Sequence, residues 1–278
     1  MSAPESVASA GAELKIWRAA PSLEGRRTAA VGAFACDTAK QGAQLLRDVV
    51  GRVADEGFDA VVGPMDGDTW SRHRLAVETD GRPPFLMEPH NPPRHVEAFD
   101  RAGWAVISRY ASAEGPLSAP DRNTDPQGVV LRAFDPSRAI SDLERIHALS
   151  LRAFSVNFLY TPLSLNRFLA LYRPLLPALD PELVVLAEDE AGALQGFLFA
   201  VPDMLDFEAE RAVVLKTYAS LQPGLGSSMA RRLYDRATAR GYRRVIHALM
   251  HEDNLSARHS ERLGATVFRR YALWGRRL

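Results

Sequence analysis

LQPGLGSSMARRLYDRATARGY, residues 221–242, sets a Gly-Leu-Gly turn directly before an amphipathic stretch. Such a turn leaves the first backbone N–H groups of a helix pointing outward, an arrangement suited to a phosphate. Leu225, Met229, Leu233 and Ala237 recur at i, i+4 spacing, which predicts a helix with one apolar face that stops near Gly241. Upstream, AVVLKTYA (212–219) is rich in β-branched and aromatic residues and reads as a strand. Downstream, RRVIHALM is a second strand, SARHSERLG a short helix ending at glycine, and ATVFRRYALWGR a last strand. A strand, loop, long helix and strand of this kind form a right-handed parallel crossover.

Further toward the N-terminus, GVVLRAF (128–134) reads as a strand, and SRAISDLERIHALSLRAF and TPLSLNRFLALYRPLL as helices. LVVLAEDEAGALQGFLFAVP reads as a hairpin turning at Glu190-Ala191-Gly192. The two halves of the chain repeat each other. Shifting residues 31–62 by 184 positions places Ala35 on Ala219, Gly42 on Gly226, Arg47 on Arg231, Arg52 on Arg236, Gly57 on Gly241 and Val61 on Val245 without a gap. FDRAGWAVISRY (99–110) lies on SERLGATVFRRY (260–271) in the same way, which marks a duplicated unit. PLSAPDRNTDPQG has the composition of an exposed connector. The expected organisation is a disordered tail at 1–12, a first half at 13–115, a linker at 116–127 and a second half at 128–278.

Composition narrows the function classes. Of 278 residues, 34 are Lys or Arg and 34 are Asp or Glu, so no net charge recommends a nucleic-acid or membrane-surface partner. No apolar run approaches the roughly 18 residues of a membrane span, and MSAPESVASAGAELK lacks the basic and apolar regions of a signal peptide. A soluble, cytoplasmic protein is expected. The single Cys36 rules out an internal disulfide, and His147, His247 and His259 show no metal-ligand spacing, so no metal is expected.

The order β-α-α-β-β-β-α-β-α-β, with the glycine loop between the fourth strand and the third helix, resembles the GCN5-related N-acetyltransferase (GNAT) family. The likeness rests on AVVLKTYASLQPGLGSSMARRLYDRA and HALMHEDNLSARHSERLGATVF. It implies an α/β chain (α+β, mixed sheet) of two GNAT-like units in tandem, the first incomplete. It also implies acetyl-CoA as acyl donor and the amine of a small molecule or peptide as acceptor. By the same resemblance the pantetheine arm pairs with the edge Tyr218, Ala219 and Ser220. The amides of Gly224, Leu225, Gly226, Ser227 and Ser228 meet the pyrophosphate, and Asn254 either hydrogen-bonds the pantetheine, as in the family, or caps the helix that starts at Leu255. Leu221, with Gln222 beside it, stands where the family's loop has Arg or Gln. Ser260 and Glu261 stand where many members carry a tyrosine that protonates the leaving thiolate.

An ammonium acceptor must lose a proton, so a base is needed near the fifth strand's end. Strand alternation selects Glu252, on one face with Ala248 and Met250, ahead of His251, with Tyr218 as acid; the alternative is that Glu252 and His251 are both solvated loop residues. Phe154, Phe158, Tyr160, Phe168 and Tyr172 are either helix-packing core or an acceptor pocket, and the acidic loop 202–210 is either a solvated turn or an attractor of amines. In the first half, Lys40 replaces the first loop glycine, Asp37 adds a carboxylate, and Thr38 and Gln41 form a capping-box pattern, so no CoA is expected there. Its insertion PMDGDTWSRHRLAVETDGRPPFLMEPHNPP carries Trp70 and Phe85, expected to cover residues of the other half. A protein of another class fits the same residues: a non-catalytic acyl-CoA-binding or interaction module.

Overall fold

Each β-branched run becomes a strand and the i, i+4 stripe becomes a helix in the computed structural model, which describes residues 3–118, 126–205 and 211–278. Twelve strands and six α-helices alternate among these residues. They are β1 (Glu5–Ser9), β2 (Ala12–Trp17), β3 (Thr28–Cys36), α1 (Ala39–Asp55), β4 (Ala60–Gly63), β5 (Leu75–Thr79), α2 (Pro93–Arg101) and β6 (Ala105–Pro116). There follow β7 (Val129–Ala133), α3 (Ala139–Ala153), α4 (Leu165–Tyr172), β8 (Val184–Asp189), β9 (Leu194–Pro202), β10 (Ala212–Ser220), α5 (Leu225–Ala239), β11 (Arg244–His251), α6 (Leu255–Arg262) and β12 (Thr266–Arg277). No helix among the described residues is long and apolar enough to cross a membrane.

The chain divides into two units: Met1–Ala111 with Phe158–Thr161 and Phe268–Leu278, and Ser112–Asn157 with Pro162–Val267. This corrects the expected boundaries. The final strands of the repeats change places, so that β12 pairs with β4 and β5 in the first unit, while the last residues of β6 follow β11 in the second. Because the repeats are similar, either final strand presents a compatible edge, and sequence alone does not say which is used. The connector expected at 116–127 begins where β6 ends, and residues 119–125 of it lie outside the described residues.

In the first unit the order is β1-β2-β3-β4-β12, with β3 and β4 parallel. The segment expected as a disordered tail forms β1, antiparallel to β2. Its alternating Glu5-Ser6-Val7-Ala8-Ser9 turns Val7 onto the core, and Glu5 pairs with Arg18 and Arg52 at 2.7 and 2.6 Å. The insertion folds onto β12 through a buried cluster in which Glu88 accepts from Arg269 Nη1 at 2.6 Å and from the Tyr271 hydroxyl. Trp70 Nε1 donates to the Thr161 carbonyl at 2.9 Å, and the Phe85 ring meets Phe268 edge-on at 6.1 Å. Both aromatics therefore cover residues from the second half of the sequence, all within this unit.

The second unit is built on β7-β8-β9-β10-β11, antiparallel throughout except for the parallel pair β10 and β11. The hairpin between β8 and β9 turns at Gly192, as its sequence predicts. Leu225, Met229, Leu233 and Ala237 of α5 are all fully buried in one cluster with Val185, Leu198, Val213 and Val245. Each such side chain contributes about 1.5–3 kcal/mol of apolar burial. On the other flank, Asp142 of α3 takes a bidentate grip from Arg132 of β7 at 2.6 and 2.9 Å, and Glu188 of β8 accepts from Arg132 and Arg145 at 2.8 and 2.5 Å.

Candidate acyl-donor site

Parallel pairing of β10 with β11 ends at the rung Leu215↔His247. Beyond it β10 bulges at Lys216 and continues to Ser220 with β9 alone, pairing Tyr218 with Leu198, Ala219 with Phe197 and Ser220 with Gly196. β11 departs, with Leu249 in the left-handed region at φ 57° and its N–H donating to Ser112 Oγ at 3.1 Å. The strands thus open into a fork, and among the described residues one edge of Tyr218, Ala219 and Ser220 is left without a partner strand.

The glycine loop borders this edge. Gly224 adopts φ +81°, which a side chain would strain, and it makes no side-chain cap for α5. A Cβ on Gly226 would lie 3.4 Å from Tyr218 Cε2 and 4.0 Å from Ser220 Oγ, so the start of α5 sits directly against the open strand. Leu221 N–H donates to Gln195 O at 2.9 Å, and the Gln222 carbonyl accepts from Leu225 N and Ser220 Oγ, both at 3.4 Å, which closes the turn. Not all five loop amides point outward. Ser227 and Ser228 donate inward to the Gly224 carbonyl at 3.1 and 3.3 Å, because the first turn of α5 tightens on that carbonyl. The N–H groups of Gly224 and Gly226 donate to no group among the described residues. Two open amides at a positive helix end, beside an open strand edge, fit a diphosphate joined to an extended amide-bearing arm.

Asn254 stands at the start of α6 with its side chain exposed and making no cap bond, so capping does not account for it. His251 accepts the Asp253 N–H at Nδ1, 3.2 Å away, which engages the lone pair a base would use. Glu252 is half-buried one residue past β11. The alternation that grouped it with Ala248 and Met250 is broken by the left-handed Leu249, so period-two counting does not carry across that residue. Burial raises the Tyr218 phenol above its ordinary range and keeps it protonated at neutral pH.

The aromatic group divides. Phe168 is buried against His147 and Tyr172, with centroids at 5.1 and 4.5 Å, and Phe154 and Tyr172 meet Phe197 and Phe199 of β9. Phe168 is thus buried packing of the second unit with Phe154 and Tyr172 half-buried beside it, whereas Phe158 and Tyr160 belong to the first. Residues 206–210 of the acidic loop lie outside the described residues. His147 Nε2 bonds the Leu163 carbonyl at 2.7 Å, and the described residues hold no group of metal-binding side chains.

The equivalent place in the first unit is closed. Past the rung Ala30↔Val62, Met65 N–H donates to Val31 O at 2.7 Å and Asp66 Oδ1 accepts from Ala33 N–H at 2.7 Å, so the chain's own residues cover the free edge of β3. At the start of α1 the Asp37 N–H donates to Gly11 O at 2.8 Å, and Thr38 Oγ1 accepts the Gln41 N–H at 3.3 Å. The Gln41 side chain accepts from the Thr38 hydroxyl at 2.6 Å and does not reach back to its N–H, so the cap is half of the expected box.

Sequence reasoning missed one feature. Tyr234 of α5, His247 of β11 and Ser260 of α6 form a buried chain, with Tyr234 Oη 2.7 Å from His247 Nε2 and His247 Nδ1 2.6 Å from Ser260 Oγ. No sequence signal marks it, because the burial of Ser260 within its charged helix is set by packing. Burial pushes the His247 imidazole down to about 4. The unfolded chain binds a proton there near pH 6.5, and the folded chain does not until much lower pH. Stability is therefore lost as pH falls, by about 2 kcal/mol between about pH 7 and pH 5 from this residue. Denaturation midpoints at the two pH values should show this in the wild type and a flatter profile in His247→Gln. Equal pH dependence in both would assign the loss elsewhere.

Solved structures share this architecture. The chain aligns with a GCN5-related N-acetyltransferase from Sphaerobacter thermophilus at TM-score 0.56 and 15% identity, over 96% of this chain and 76% of that one. A GCN5-related N-acetyltransferase from Anabaena variabilis gives TM-score 0.60 and 11% identity over 95% of this chain, which spans only 59% of that protein. A tandem GNAT protein from the clavulanic acid biosynthesis pathway gives 0.52 and 14%, over 96% and 79%. No family model and no curated protein matches the sequence. The fold is that of the tandem GCN5-related N-acetyltransferases.

Proposed function

We propose that the second unit is an N-acetyltransferase that takes the acetyl group of acetyl-CoA to the amine of a small molecule or peptide, and that the first unit binds no donor. The observation that carries this reading is the open edge Tyr218–Ser220 lying against the open amides of Gly224 and Gly226. Acetyl-CoA supplies an acetyl group on a thioester when bound. The loop amides hold the diphosphate, the β10 edge and Asn254 orient the pantetheine arm, and an outward backbone N–H beside Ala219, on Tyr218 or Ser220, polarises the reacting carbonyl, an effect of about 3 kcal/mol where such donors are aligned. Glu252 takes the proton that the attacking ammonium must lose, and the protonated Tyr218 returns one to the sulfur as the carbon–sulfur bond breaks. The ammonium loses one proton to Glu252 before attack and, once the carbon–nitrogen bond has formed, a second that restores the Tyr218 phenol, so that an amide and a thiol form and Glu252 releases its proton to solvent.

A second reading, an acyl-CoA-binding module without chemistry, is favoured by the buried serine at position 260 and by the engaged lone pair of His251. Release of free CoA over a panel of primary amines separates the two. With an acceptor in hand, Glu252→Gln should lower turnover by about 10²-fold and leave CoA affinity unchanged. A full-speed Glu252→Gln enzyme with a slow His251→Ala would transfer the role to His251.

A further inference from the structure

His247 holds a singular place in the second unit. Its backbone forms the last rung between β10 and β11, the vertex from which the fork opens. Its side chain bonds α5 through Tyr234 on one ring nitrogen and α6 through Ser260 on the other. A neutral imidazole carries one N–H and one lone pair, and each hydroxyl can donate or accept, so both bonds are satisfied in either tautomer. Tyr234, His247 and Ser260 are 2%, 6% and 2% exposed, so water does not compete for these bonds.

The tie matters most to α6. That helix has eight residues, Ser260 is the only buried one, and its first residue Leu255 is 78% exposed. The hydrogen bond between Ser260 and His247 ties the body of the helix to β11, and Leu263 at its C-terminal cap packs against the core of the unit. Asn254 immediately precedes this helix, and the open amides of Gly224 and Gly226 lie at the start of the helix that carries Tyr234.

We propose that His247 is the positioning residue of the donor site, holding α5 and α6 to the vertex of the β10–β11 fork and so fixing the distance between the diphosphate-binding amides and Asn254. The inference rests on the donor-site reading above. None of the three residues touches the ligand in this account; they set the geometry of those that do.

Ser260→Ala, Ser260→Thr, Tyr234→Phe and the double variant Tyr234→Phe/Ser260→Ala test it, with CoA as the calorimetric probe and amide hydrogen exchange on the free protein. Ser260→Ala should weaken CoA binding by about tenfold and speed exchange across residues 255–263 by a similar factor, while amides in the middle of α5 keep their wild-type rates. Ser260→Thr restores the hydroxyl and should recover most of the affinity. Tyr234→Phe should also weaken binding, and the double variant should lose less than the product of the two single losses, since both act through one imidazole. Uniformly faster exchange in α5 and α6 together, with no rescue by threonine, would reduce the chain to general stability and overturn the proposal. Wild-type CoA binding that Ser260→Ala leaves within twofold, or about that, overturns the proposal alone. Failure of the wild type to bind CoA overturns the donor-site reading and this proposal with it.

Discussion

Gly226→Glu should abolish CoA binding without harming the fold. Gly226 is not in the left-handed region, and a Cβ there meets Tyr218 and Ser220 only at ordinary contact distances. A carboxylate in the first turn of α5 is favoured by the helix dipole, so unfolding should be unchanged or slightly harder. The same carboxylate would lie among the amides that hold the diphosphate. One like-charge pair about 4 Å apart near a protein surface costs roughly 4 kcal/mol, close to 10³-fold in affinity. Calorimetric titration with CoA and thermal unfolding together check this. Gly224→Ala supplies the contrast: at φ +81° it strains the backbone by about 1–2 kcal/mol and lowers stability without adding charge. A Gly226→Glu protein that binds CoA within about tenfold of wild type would remove the loop from the donor site.

Asp142→Ala should destabilise the second unit by about 3 kcal/mol, a loss of more than 10²-fold in its folding equilibrium. The Asp142 side chain is completely buried and receives both guanidinium nitrogens of Arg132, with Arg145 at 3.5 Å. Removing it leaves two cations sharing Glu188 alone, while Arg132 is only 20% exposed and gains little water in exchange. The residual exposure and the remaining Glu188 partner keep the cost at the low end for a broken buried pair. Urea unfolding followed by a probe in the second unit measures it. A change below about 1 kcal/mol would mean that water replaces the carboxylate and that the network contributes little.

The fold was legible where local chemistry and burial agree. The i, i+4 stripe of α5, the β-branched runs of β7 to β11 and the glycines at 192, 224 and 241 each determine their own conformation, and the repeat showed that the pattern occurs twice. What stayed hidden depends on partners distant in sequence. Nothing in Glu5–Ser9 marks it as a strand apart from Val7, because its order comes from pairing with Ala12–Trp17. The exchange of β6 and β12 was hidden because the duplicated strands suit the same edges. At the site, the loop and the strand edge were readable from glycine placement. The face of Glu252 was not, since the left-handed Leu249 interrupts the alternation on which that reading depended. The Tyr234–His247–Ser260 chain joins residues 13 positions apart on three elements, a coincidence that only packing reveals.

The central claim is that one donor site exists per chain, in the second unit, because the fork beyond Leu215↔His247 is open while the one beyond Ala30↔Val62 is filled by Met65 and Asp66. Isothermal titration of the wild-type protein with CoA tests it most directly. The account predicts a single class of site with one CoA bound per chain, lost in Gly226→Glu and unaffected by Lys40→Ala. Two equivalent sites per chain, or no binding at all, would contradict it.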